Sequence, residues 1–302
     1  MYPQGDRSAL ASAKMPNGGF YFDAIIRQET IDDNKLNPEN NLEEFQPISE
    51  EDLRIYEKQS NDLFYNTDLA IAASFPGTAF GDIALIPAPY MKYPKGIRDI
   101  EEWYVSTITR RDYIFEVFSR QAEIAVKNLE SIYQAAGNSV HVVWMDGADL
   151  ATQDSLFFSP DTYCELYKPF HKKLNDWVHN NTEWKTMKHC CGACEPLIGE
   201  FIEAGFDVLN PVQCSAKGMD PKKLVDKYGN QIVFWGGGVD TQRTLPFETS
   251  EKVFTQVKER IEIFGKYPGF VFAAIHNIQC NTPAENVIAM FKSLGRSLPG
   301  KY

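Results

Sequence analysis

The segment His189-Cys190-Cys191-Gly192-Ala193-Cys194 places one imidazole and three thiols within six consecutive residues. Zinc prefers such donors, in a tetrahedral shell that keeps one position open when the metal does chemistry. A short apolar run, Trp184–Met187, leads into the segment. On an extended strand, residues two apart project to the same face. His189 and Cys191 therefore point together, with Cys190 turned away. A third ligand has to come from elsewhere, and His276 and Cys280, both after a later apolar run, are the candidates. Two readings compete with a metal site. One is a cysteine-rich buried strand end without metal, and the other is a redox pair of Cys191 and Cys194 at C-x-x-C spacing.

These side chains need rigid elements to hold them. Short apolar runs occur at Leu69–Ser74, Val140–Met145, Trp184–Met187, Phe206–Leu209, Ile232–Trp235 and Phe270–Ile275. They do not alternate with polar residues, as expected for strands buried on both faces of a parallel sheet. Helical stretches fall at Arg111–Ala136, Pro160–His179, Glu195–Ala204, Pro221–Tyr228, Glu251–Phe264 and Pro283–Leu294. Three begin with a capping residue followed by proline: Ser159-Pro160, Asp220-Pro221 and Thr282-Pro283. Proline suits the first helical position because its missing N–H would be unpaired there anyway. Pro169, inside the second stretch, predicts a kink. The alternation of strand and helix predicts an α/β protein.

The five runs from Val140 onward end in polar or glycine-rich residues. The continuations are Asp146-Gly-Ala-Asp149, His189-Cys-Cys-Gly192, Asn210-Pro-Val-Gln213, Gly236-Gly-Gly-Val-Asp240 and His276-Asn-Ile-Gln279. In parallel α/β folds the ligand site lies at the carboxyl ends of the strands, and a barrel converges them on one cavity. No G-x-G-x-x-G opens a helix, and Gly236–Gly238 lacks the lysine of a phosphate-binding loop, so a nucleotide-binding sheet is disfavoured. Gly236–Gly238 instead predicts a tight turn that lets a ligand approach the backbone.

The 302 residues carry 30 basic and 41 acidic side chains, a net charge of −11. That balance argues against nucleic acid as a partner, which would need a basic surface to offset phosphates. Hydrophobic residues at 43% and charged residues at 24% exclude disorder as the main state. There is no apolar run long enough to span a membrane and no signal-peptide core near the N-terminus. With cysteines clustered rather than spread as a disulfide framework, the expected compartment is the cytoplasm. Residues 1–60 predict an irregular N-terminal segment packed on a barrel of residues 61–302.

Four stretches together resemble the uroporphyrinogen decarboxylase superfamily. They are His189-Cys-Cys-Gly-Ala-Cys-Glu-Pro-Leu-Ile198, Glu203-Ala-Gly-Phe-Asp-Val-Leu-Asn-Pro-Val-Gln213, Val233-Phe-Trp-Gly-Gly-Gly-Val-Asp-Thr-Gln242 and His276-Asn-Ile-Gln-Cys-Asn-Thr-Pro-Ala-Glu-Asn-Val287. The resemblance runs from about Gly19 onward and is specific over residues 140–295. It implies a (β/α)8 TIM-like barrel, here expected to lack its N-terminal strand, since relatives place a helix and a strand before the region resembling Gly19.

The superfamily has two chemistries. Decarboxylases are lyases of porphyrin biosynthesis that remove acetate carboxyls from a tetrapyrrole without metal. The cobalamin-dependent branch, which includes methylcobamide:coenzyme M methyltransferases and O-demethylases, holds zinc on His-x-Cys plus one later residue. His189-x-Cys191 matches that motif. His276 stands at the later position, where coenzyme M enzymes carry cysteine, so the third ligand stays open between His276 and Cys280. The resemblance also implies a pocket lined by Asp149 and Gln153, with Asp146 either replacing Asp149 or capping its own loop. Gln213, Asp240 and Gln279 become polar contacts for a corrinoid or methyl donor, with Asp149 and Gln213 as the catalytic pair. The implied activity is zinc-dependent transfer of a methyl group between a small donor or thiol acceptor and a corrinoid protein, by a chain that can form a homodimer. The alternatives are tetrapyrrole decarboxylation and a non-catalytic corrinoid- or metal-binding paralogue.

Overall fold

The computed structural model describes residues 1–267 and 269–295. Helix α1 (Glu50–Asn66) opens at Ser49, whose hydroxyl accepts the Asp52 N–H at 3.1 Å, and it runs across residue 60. Helices α2 (Ile100–Thr109) and α3 (Arg111–Ala136) follow. The short α4 (Pro160–Thr162) is capped by Ser159, whose hydroxyl accepts the Thr162 N–H at 3.2 Å. It passes through a π turn, Tyr163–Tyr167, into α5 (Lys168–Asn181). Pro169 causes that turn. It has no N–H to offer the Glu165 carbonyl and its ring crowds that carbonyl, so the Lys168 N–H reaches back to Tyr163 instead. The predicted kink is thus a π turn.

The remaining helices are α6 (Glu195–Glu203), α7 (Pro221–Tyr228), α8 (Thr244–Phe247), α9 (Ser250–Phe264) and α10 (Ala284–Ser293). Asp220 caps α7 as expected, accepting the Lys223 N–H at 2.9 Å. Thr282 does not cap α10. Its N–H is engaged in a turn with the Gln279 carbonyl at 3.1 Å, and Pro283, extended at ψ 135°, takes the cap position without a side-chain bond.

Strands β1 (Ala13–Lys14) and β2 (Asp23–Ala24) form a small antiparallel ribbon. The main sheet comprises β3 (Ala72–Ser74), β4 (Val142–Asp146), β5 (Lys185–His189), β6 (Val208–Asn210), β7 (Val233–Trp235) and β8 (Phe270–Val271). Its order is β3-β4-β5-β6-β7-β8, each strand beside its neighbour in sequence. Helical crossovers between neighbours make the pairing parallel, as in β3 with β4 and β7 with β6 and β8. The architecture is α/β and TIM-like, with six parallel strands among the described residues where a complete barrel has eight.

The chain forms two compact units. The first comprises residues 1–149, 158–187 and 203–205. Its core packs Phe118 against Phe80 and Tyr167, and sets Trp184 against Phe75 and Tyr133. The Trp184 indole N–H donates to the Gly137 carbonyl at 2.9 Å, as a buried tryptophan requires. The second comprises, among the described residues, 150–157, 188–202, 206–267 and 269–295. There α6 buries Leu197, Ile198 and Phe201, while Val239, Leu245, Val253, Val257, Ala289 and Met290 form one apolar cluster under α9 and α10. No helix among the described residues is long and apolar enough to cross a membrane.

Candidate metal centre

β5 extends two residues beyond the apolar run, so His189 is its last residue. Extended backbone there brings His189 and Cys191 to the same side: His189 Nε2 lies 3.5 Å from Cys191 Sγ. His276, in the loop after β8, supplies the third group. One ligand atom from each of His189, Cys191 and His276 lies within 4.8 Å of the others. The two imidazole rings meet edge-on, with centroids 6.3 Å apart. All three residues are half-buried and belong to the second unit. Cys280 is exposed and stands outside this cluster.

The donor set suits zinc. For bonds of about 2.0–2.3 Å, ligand atoms on a tetrahedral zinc stand roughly 3.3–3.8 Å apart. The His189–Cys191 pair already has that spacing. Two imidazoles and one thiolate also leave a fourth position open, the pattern of a catalytic rather than a structural site.

The other thiols are differently placed. Cys190 is buried, and its sulfur accepts the Leu150 N–H at 3.4 Å. Cys194 is fully buried, and its hydrogen bond to Cys190 together with burial pushes its thiol well above the usual range. A buried thiol held protonated is a poor nucleophile, which disfavours the redox pair.

Backbone contacts hold the ligand loop. Gln213 is 4% exposed, and its Oε1 accepts the Gly192 N–H at 2.7 Å. Its Nε2 donates to Gln153 Oε1 at 2.7 Å, so both ends of the Gln213 amide are engaged. Thr152 O accepts the Ala193 N–H at 2.8 Å. Gly192 sits at φ +89°, and a Cβ there would stand 2.4 Å from Thr152 O. Only glycine combines that backbone conformation with that approach.

The remaining candidate residues divide between loops. Asp240 Oδ1 accepts the N–H groups of Gln242 at 2.7 Å and Arg243 at 3.2 Å, ordering the turn into α8. The half-buried Gln279 follows His276 in the same loop. The chain's own packing shapes Gly236–Gly238. A Cβ at Gly237 would stand 3.1 Å from Val212, and one at Gly238 only 2.3 Å from the Phe272 ring, so the chain's own packing demands small residues.

Asp146 and Asp149 belong to the first unit. Asp146 is fully buried at the end of β4; its Oδ2 lies 3.0 Å from His171 Nε2, and its Oδ1 accepts the Ala148 N–H at 3.1 Å. His171 Nδ1 is 3.0 Å from the Tyr163 hydroxyl. This buried Tyr163–His171–Asp146 chain makes Asp146 a structural cap of its own loop. Asp149 is half-buried, and its carbonyl accepts the Tyr104 hydroxyl at 3.3 Å.

The family model for uroporphyrinogen decarboxylase matches residues 86–296. The chain belongs to that family. Among curated proteins, none matches significantly. A methyltransferase from Methanosarcina mazei of solved structure shares the fold at a TM-score of 0.56 and 18% identity. The likeness covers 80% of this chain and 62% of that one, so this family member spans less than two thirds of the structure it resembles.

Two residues of this uroporphyrinogen decarboxylase family member escape sequence reading. Asn210, at the end of β6, lies against His189, with its Oδ1 2.8 Å from Nδ1. Asn-Pro reads as a turn, and only the strand-end position hints at more. Lys188 is fully buried behind the site, where its Nζ donates to the His189 carbonyl at 2.9 Å and stands over the Phe201 ring at 5.6 Å. A lysine between Met187 and His189 in an otherwise buried strand is the one signal that could have found it.

Proposed function

We propose that this chain is a zinc-dependent methyltransferase moving a methyl group between a small donor or a thiol acceptor and a corrinoid carried by a partner protein. The observation that carries the reading is the convergence of His189, Cys191 and His276. Family membership and the fold shared with the Methanosarcina mazei methyltransferase support it.

When bound, zinc would supply Lewis acidity, lowering the pKa of a coordinated thiol or withdrawing charge from an ether oxygen. The protein's own part is placement. His189 offers its ring from the rigid end of β5, and Cys191 follows on the loop that Gln213 and Thr152 hold. His276 closes the set from the loop after β8, leaving one side for a substrate. A second imidazole in place of a second thiolate leaves the protein donors with a single negative charge, so a zinc-loaded site keeps a net positive charge towards an electron-rich ligand. Asp149 stays a proposed catalytic group, and Asp240 and Gln279 proposed contacts for the donor.

Metal analysis of protein purified without chelators tests the reading. About one zinc per chain is expected, lost in His189→Ala and in Cys191→Ser. Protein that is metal-free and converts uroporphyrinogen to coproporphyrinogen would overturn it in favour of decarboxylation.

A further inference from the structure

Asn210, the last residue of β6, touches the ends of the two strands beside it. Its carbonyl accepts the Cys190 N–H at 2.8 Å. Its side-chain Nδ2 donates to the Trp235 carbonyl, at the end of β7, at 3.2 Å. Its side-chain Oδ1 lies 2.8 Å from His189 Nδ1, at the end of β5. The Trp235 contact sets the direction of the amide, because a carbonyl only accepts and must therefore face the NH2. Oδ1 is left facing the imidazole, and it too only accepts. The hydrogen between them must then sit on Nδ1.

A neutral imidazole carries one proton, so placing it on Nδ1 leaves the lone pair on Nε2. Nε2 is the atom 3.5 Å from Cys191 Sγ. A free imidazole side chain in water favours the opposite arrangement, with the proton on Nε2 and the lone pair on Nδ1. We infer that Asn210 is the positioning residue of this centre: it reverses the intrinsic tautomer preference of His189 and aims a lone pair at the metal position. The inference rests on the metal-centre reading for its purpose, but not for its geometry. Outer hydrogen bonds of this kind orient ligating histidines and raise their basicity.

Nitrogen-15 NMR of the metal-free full chain reads the tautomer directly. The His189 ring is assigned among the five histidines by the signals lost in His189→Gln. The wild type is expected to carry its proton on Nδ1. Asn210→Leu should move His189 towards the Nε2-protonated form, whereas Asn210→Asp, whose carboxylate still accepts, should keep Nδ1–H. Zinc titration against a chromophoric chelator should then show Asn210→Leu weakened roughly 10–100-fold, with Asn210→Asp within a few-fold of wild type. A proton on Nε2 in the wild-type chain overturns the inference, and that measurement needs no variant to fold. Equal loss of affinity in both variants overturns it as well, since a merely structural role would not distinguish them. Because the tautomer is read without metal, a chain with His189 protonated on Nδ1 that takes up no zinc would sink the proposed activity while supporting Asn210's action on His189.

Discussion

Gln213 Oε1 accepts the backbone N–H of Gly192 at 2.7 Å, one residue beyond Cys191. The bond ties the loop after β6 to the loop that carries Cys191. Gln213→Leu would leave the Gly192 N–H buried without its acceptor, at a cost of about 1–3 kcal/mol. The expected result is a lower denaturation midpoint with an unchanged slope, measured by urea unfolding. An unchanged midpoint would remove Gln213 from this role.

Gly192 makes the sharper case. At φ +89°, with Thr152 O only 2.4 Å from where a Cβ would stand, Gly192→Ala must displace one loop from the other. Backbone strain of this kind costs of order 1–3 kcal/mol before the clash is counted. Gly192→Ala is expected to lose both stability and zinc content, measured on the same preparation. Full zinc occupancy would show that the two loops can separate without moving Cys191.

His276, with Cys280 as the alternative, is the third ligand the sequence offers, the two standing four residues apart in one loop. The structure gathers His276 and leaves Cys280 exposed outside the cluster. His276→Ala should therefore lose metal while Cys280→Ser retains it, as measured by elemental analysis. The reverse pattern would move the ligand to Cys280.

Burial pushes the Cys214 thiol from about 9 up to about 11. An unfolded chain releases that proton near pH 8.5–9, while the folded chain holds it until about pH 11. The folded state thus binds more protons in that window, and stability falls as pH rises from about 9 to about 11. Below that range the thiol is protonated in both states and contributes no slope. Urea unfolding at pH 8 and pH 10.5, run on wild type and Cys214→Ala, should show a smaller decline in the variant. Identical declines would remove Cys214 from the pH dependence.

Much of the site is legible because it depends on short-range rules. The period of a strand puts His189 and Cys191 on one side, and a strand end followed by polar residues marks His276 as a neighbour. Ser159 and Asp220 cap as their types and the following prolines suggest, and Pro169 announces a break in its helix. What is not legible depends on partners far along the chain. Asp146 reads equally as a pocket carboxylate or a cap of its own loop, and the sequence does not show that His171, 25 residues on, lies against it. Gly236–Gly238 reads as a tight turn that a ligand can approach, and the sequence does not show that the Phe272 ring stands where a Cβ on Gly238 would go. Asn210 is the same problem inverted, a residue that reads as a turn and gains its importance only when β5 and β7 lie on either side. Thr282 fails as a cap for a local reason: Pro283 is itself extended, so the helix starts one residue later than the pattern suggests.

The π turn at Tyr163–Tyr167 also sets the phase of the helix that follows. It accommodates one more residue than an α-helical turn, and each residue of an α-helix turns the chain by about 100°. Tyr163, Tyr167 and His171 come to share one buried side, with the Tyr163 and Tyr167 rings stacked at 6.2 Å. Wind the same residues as a regular α-helix and α5 would be rotated by more than a quarter of a circle, carrying His171 away from Asp146. A substitution at the exposed Pro169 that let the turn close would therefore behave as a core mutation, although it alters no core side chain.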